Sequence, residues 1–189
     1  MFISNADLTT VLDDTQMAQV IDLSTSKRNR AEHFALEESR SFLNFHYDVD
    51  LIFGFKVFDY SVADEYKEGQ IIVSDEAVGY TCILDAPAGT ALTEETYFEE
   101  GDARNPLIVM ITVDLLAYHL FSGVSTNMIP QHIIDRYEQS IKKLTAIRKQ
   151  TMNPLLPVKV IDEDAEENPN NQTHTISIFS HPKRNNFYD

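Results

Sequence analysis

The stretch "NPLIVMITVDLLAYHLF", residues 105–121, decides how this chain must fold. Apolar side chains occupy every face of the helix it predicts, and one aspartate, Asp114, stands in its middle. It is too short to cross a bilayer, which takes about 20 apolar residues in succession, and it has no polar face to turn to water. Asn105-Pro106 predicts its start, an N-cap followed by proline at the first helical position, and Ser122-Gly123 its stop. Such a helix needs cover on both sides. The expectation is a central helix of a small bundle, surrounded by the N-terminal helices, by a helix over 130–150 and by a neighbouring copy of the chain.

Asp114 needs a partner, because a carboxylate among apolar side chains costs on the order of several kcal/mol if left alone. An antiparallel helix hairpin brings Arg136 past the middle of the 105–121 helix, which makes it the first candidate. Arg40 and a backbone N–H are the alternatives. The role expected for Asp114 is to fix the register of one helix against the next.

Outward from this centre the chain reads as alternating territories. "SNADLTTVL" predicts a short helix capped by Ser4 or Asn5, and "DDTQMAQVIDL" restarts one after Asp13 or Asp14. A longer helix from near Ser26 carries an apolar stripe at Ala31, Phe34/Ala35, Ser39, Phe42 and Phe45. From about Val49 the pattern becomes strand-like, with runs at Ile71–Val73 and Gly79–Leu84 between turn-rich segments. Helix returns after Pro130, where Ile133, Tyr137, Ile141, Leu144 and Ile147 recur at helical spacing. Beyond "NPLLP" the acidic run "IDEDAEENPNNQ" reads as a linker, and "THTISIFS" as a strand that either adds to a sheet edge of another copy or partner or folds back on the chain's own insert.

Charge divides the chain in the same places. The net charge is −15, and residues 48–102 alone carry −12, whereas 103–157 carry +3. Such a balance excludes the electrostatic grip on phosphates that nucleic-acid binding requires, although DNA can slide past an acidic wall. The single cysteine, Cys82, excludes an internal disulfide framework and reads as a buried, unreactive thiol. "MFISNADLTT" has neither a basic head nor a small-residue cleavage site, so no signal peptide is expected, and no membrane association.

The quoted segments together carry a resemblance. "MFISNADLTTVLDDTQMAQVIDL", a following helix, Thr112-Val113-Asp114-Leu115-Leu116-Ala117-Tyr118-His119-Leu120 and Arg136-Tyr137-Glu138-Gln139-Ser140-Ile141 resemble the Mu-like prophage head-to-tail joining proteins of tailed phages. The likeness covers residues 1–47 and 103–157. It implies a mainly α fold: a small helical bundle of the adaptor type, here with an inserted antiparallel β-module (48–102) and an extended C-terminal tail (158–189). It also implies a structural protein of the virion neck, made in the host cytoplasm. Copies, typically twelve, would form a ring below the portal protein and bridge it to the tail or to further neck rings, with DNA passing through unbound. Packing in the bundle and ring then falls to Leu107, Ile111, Asp114, Leu115, Tyr118, Arg136, Tyr137, Ile141 and Leu144. Contact in trans falls to the tail residues Ile176, Ile178, Phe179, Lys183, Arg184, Phe187 and Tyr188.

The acidic block has a likeness of its own. Tyr66, Gly69, Ile71, Val73, Tyr80, Gly89, Thr90, Tyr97 and Phe98 follow a pattern similar to small chitin-binding-type modules and short β-modules of phage structural proteins. That likeness implies glycan contact through Tyr80, Tyr97 and Phe98. The alternative is that these rings fill a small core. A tail-completion or stopper protein lower in the neck is a third reading.

Patterns for catalysis are missing from the sequence. It holds no Gly-x-Ser-x-Gly, no phosphate-cradling glycine loop and no His-Glu-x-x-His. The six histidines fall at no metal-ligand spacing. Asp162, Asp164 and Glu166 alternate as in a calcium loop but lack the turn glycine and the closing glutamate. No enzyme activity, metal or cofactor is expected.

Overall fold

The computed structural model describes residues 1–21, 25–76, 78–123 and 129–159, and residues 1–159 form one compact unit. Helix α1 (Asn5–Thr9) starts where Ser4 and Asp7 cap one another: Asp7 N–H donates to the Ser4 hydroxyl at 3.0 Å, and Ser4 N–H to the Asp7 carboxylate at 2.8 Å. Asp13 and Gln16 open α2 (Asp14–Ile21) by the same reciprocal bonding. Helix α3 spans Thr25–Leu43, and a further short helix, α4 (Val49–Phe53), is capped by the Asp48 carboxylate.

Four strands follow: β1 (Val57–Asp59), β2 (Ile71–Val73), β3 (Gly79–Cys82) and β4 (Phe98–Glu100). They lie in the order β1-β2-β3-β4, with β1 parallel to β2 and the other pairs antiparallel. Two long helices complete the unit. Asn105 caps α5 (Pro106–Ser122), accepting from the N–H groups of Leu107 and Ile108, and α6 spans Gln131–Arg148.

The architecture is therefore a mixed α/β fold, six helices with a four-stranded mixed sheet among the described residues, and the expected helical bundle with an inserted antiparallel module is corrected. The reason lies in β1 and β2. Ile71, Ile72 and Val73 are all buried, because β2 is covered on both faces. Ile71 and Val73 join Val57 of β1 and Ala6 of α1, while Ile72 joins Tyr66, Cys82, Ala86 and Phe98 on the opposite side. The N-terminal segment is bonded to the sheet as well: Val57 N–H donates to Met1 O at 2.9 Å, and Asn5 N–H to the Asp59 carboxylate at 2.9 Å.

Helix α5 packs on α3 and α6, with α1 against its side. Ile111–Ala117 are all buried, as are Ile108, Leu120 and Phe121, while Met110 is exposed. Most of the cover expected from a neighbouring copy thus comes from the chain itself. On α3 the buried stripe is Ala31, Glu32, Ala35, Ser39 and Leu43. Small side chains let α3 approach α5 closely, and Phe34 and Phe45 of the expected stripe are left outside.

Candidate functional site

Three constellations organise the polar chemistry of the unit. In the first, the buried Asp114 carboxylate accepts from Arg136 Nε at 2.8 Å and from the Ser140 hydroxyl at 2.7 Å. Arg136 and Ser140 stand four apart on α6 and so share a face. Of the partners open to Asp114, Arg136 is the one that reaches it. Arg40 lies instead over the Phe53 ring and near Glu37. Ile111, Leu115 and Leu144 are fully buried around this pair, and Leu107 and Ile141 are half-buried against the same core.

In the second, Glu38 of α3 joins α5 and α6. One carboxylate oxygen contacts His119 Nε2 at 2.9 Å, and the other accepts from the Tyr137 hydroxyl at 2.7 Å. Tyr118 stacks on Tyr137 with centroids 4.1 Å apart. Burial first, then the Glu38 hydrogen bond and charge, hold the Tyr137 phenol well above its ordinary pKa. The exposed Phe34 meets His119 edge to face, beside a shallow groove lined by Lys27, Arg30 and Leu120.

The third centres on Arg104, which is fully buried. Its guanidinium donates to Asp102, to Asp7 and to Phe2 O, and lies over the Phe2 ring. Burial works against the charge, but the bonds and charges of Asp102 and Asp7 outweigh it and raise the pKa further. This one side chain ties the N-terminal segment and α1 to the stretch that leads into α5.

All three sets hold elements together. What faces outward is different in kind. After α3 the chain turns through residues 44–47 into α4, and residues 153–159 run antiparallel beside that turn. Asp48 N–H donates to Pro157 O at 2.9 Å, and Lys159 N–H to His46 O at 3.1 Å. Along these two stretches Phe45 (75%), Leu51 (62%), Leu155 (88%) and Val158 (67%) are exposed to solvent. Leu155 has φ +54°, a left-handed conformation that bulky side chains rarely take. It is held there because its N–H bonds the Asn153 side chain, while Asn105 Nδ2 donates to Pro154 O. Beside it Leu51, Phe55, Ala103 and Pro157 help to line a groove of about 390 Å³. Nothing in the spacing of "NPLLP" distinguishes its exposed Leu155 from the buried Leu156, so sequence reasoning passes over this feature.

In the sheet region, Phe98 is buried between Tyr66 and Cys82 and turns no ring face outward. Tyr80 and Tyr97 are half-buried against the same small cluster. Cys82 is buried, and burial, only partly offset by backbone hydrogen bonds, raises its thiol pKa. No metal-binding cluster of His, Cys, Asp or Glu, and no helix long and apolar enough to cross a membrane, occurs among the described residues. Ile176, Ile178, Phe179, Lys183, Arg184, Phe187 and Tyr188 lie outside the described residues. No protein-family model, no curated protein and no solved structure matches the chain.

Proposed function

We propose that this chain is a structural component of the neck of a tailed phage, a head-to-tail connector whose copies close into a ring below the portal protein and join it to the tail. The observation that carries the reading is the pair of exposed leucines, Leu51 and Leu155, that meet at one groove with Phe55 and Pro157. Contiguous apolar surface displayed on ordered backbone marks a protein–protein contact. A leucine kept outward in a left-handed turn is the kind of rigid anchor that fills a partner's pocket. The likeness of residues 1–47 and 103–157 to connector proteins supplies the partner class. The net charge of −15 suits a ring through which DNA passes without sticking.

In this mechanism the Asp114–Arg136 pin and the Glu38–His119–Tyr137 junction keep α3, α5 and α6 as one rigid body, so the angle between neighbouring copies is fixed by shape. A heterologous contact repeated with constant rotation closes a ring. The test is to purify tailed particles from cells that make the chain and count its copies by quantitative mass spectrometry. The reading predicts a fixed, multiple copy number per particle, equal to that of other ring proteins or a simple ratio of it. Complete, infective particles that lack the chain would overturn it.

A further inference from the structure

We propose that copies of this chain meet head to tail through two surfaces of unlike charge: the face of α3 that bears Lys27, Arg30 and Phe34 on one copy fills the acid-rimmed groove beside β4 on the next. The proposal rests on the ring reading, which sets copies side by side, and names the contact between them.

Phe34 is the knob. Lys27, Arg30 and Phe34 recur at helical spacing, so they stand along one side of α3 over about 10 Å. Phe34 is 53% exposed, and His119 of α5 holds its ring edge to face. Lys27 and Arg30 are exposed beside it, and among the described residues no carboxylate lies within ion-pair distance of either. Glu37 and Glu38, further along α3, are already engaged, the first by Arg40 and the second by His119 and Tyr137. The result is an aromatic side chain flanked by two cations, on a chain whose net charge is −15.

The groove beside β4 is the matching hole. It measures about 530 Å³ and is walled by Tyr80, Ile83 and Leu92, with Glu95, Glu99 and Glu100 at its margin. Ile83 is 41% exposed there, and no basic residue lines the groove. An occupant therefore needs an apolar tip with cations beside it. The α3 face presents this: the Phe34 ring against Tyr80, Ile83 and Leu92, and Lys27 and Arg30 against the glutamates. In one copy the two surfaces stand apart. Arg28, in the first turn of α3, donates to Asn5 Oδ1, and Asn5 N–H donates to the Asp59 carboxylate of β1. Strand β4 is at the other end of the four-stranded sheet, about 14 Å away at the usual strand spacing. Each copy thus offers a knob at one end and a hole at the other, and repetition of such an unlike contact builds a ring where the rotation closes.

Charge exchange in the full chain tests this. Two variants, Glu99→Lys with Glu100→Lys and Lys27→Glu with Arg30→Glu, are compared with the parent by sedimentation at low and high salt, with circular dichroism as the check on folding. Self-association of the parent should weaken with salt. Each variant alone sets like charges together and should associate about tenfold more weakly or worse. An equimolar mixture of the two, and the chain carrying all four changes, should regain it. Phe34→Ala removes the knob without altering charge and should weaken association at both salt concentrations. A mixture or a four-change chain that stays dissociated overturns the proposal. Variants that associate like the parent, Phe34→Ala included, or a parent monomeric at every concentration, overturn it too. These results leave the ring reading standing if particles still contain the chain in fixed number; its absence from particles defeats the ring reading itself.

Discussion

Asp114 and Arg104 carry opposite charges into the interior; Asp114 is paired across to the next helix, and Arg104 is paired both with nearby Asp102 and with Asp7 from far along the chain. Asp114 has one cation and one hydroxyl, both from α6. Loss of Arg136 strands a buried carboxylate on Ser140 alone, whereas loss of Asp114 leaves an arginine, 38% exposed, that can turn to water. Arg136→Ala should therefore cost about 2–3 kcal/mol, below the range for a fully enclosed pair, and Asp114→Ala less, about 1–2 kcal/mol. Urea midpoints in the reverse order would contradict the pin. Tyr137 gives a pH signature. Its folded pKa lies above the unfolded one, so the stabilisation is complete below about pH 10, where the unfolded phenol still holds its proton. Above that the unfolded state loses protons first, and stability falls until the folded pKa is passed. Tyr137→Phe should flatten this alkaline decline in melting temperature, and an unchanged slope would remove Tyr137 as its source. The Asp114–Arg136 pair was legible in the sequence because a lone acid in an apolar helix demands a partner on the next one. Arg104 was not: it stands beside the N-cap Asn105 like any surface arginine, and only the fold brings Asp7 to it from the other end of the unit.

At the scale of elements, helix caps and a glycine announced where α1 and α5 begin or end, since each answers a local need for hydrogen-bond partners, and Pro130 marked the start of α6 without a side-chain cap. Helix α4 and strand β1 are five and three residues long, too short for any periodicity to show, although the Asp48 carboxylate caps α4 by accepting from the N–H groups of Asp50 and Leu51. Missing β1 also hid the parallel pairing, and with it the mixed character of the sheet. The stripe expected on α3 holds at Ala31, Ala35, Ser39 and the half-buried Phe42, and fails at the aromatic Phe34 and Phe45, which helix packing leaves exposed. The turn at 153–157 provides the prediction at this scale. Leu155 is 88% exposed, so Leu155→Asp should alter folding stability by no more than about 0.5 kcal/mol. If the turn is the docking anchor, the same change should sharply reduce the chain's content in purified particles. Normal incorporation of a normally folded Leu155→Asp chain would remove the turn from the contact.

At the scale of the whole molecule, the helix over 105–121 is covered as its apolar faces demand, and the chain itself supplies most of that cover. Helices α1, α3 and α6 enclose it, and the apolar side chains left exposed lie elsewhere, Leu51 and Leu155 among them. Composition could indicate an acidic block, but not that its sheet shares a core with α1. The account's central claim is that the chain works as one of many identical copies in a ring. A cryo-electron-microscopy reconstruction of the intact tailed particle measures this directly. The account predicts a closed ring of this chain between portal and tail, with the Leu155 turn buried against protein. Isolated copies at the periphery, with Leu155 facing solvent, would contradict it.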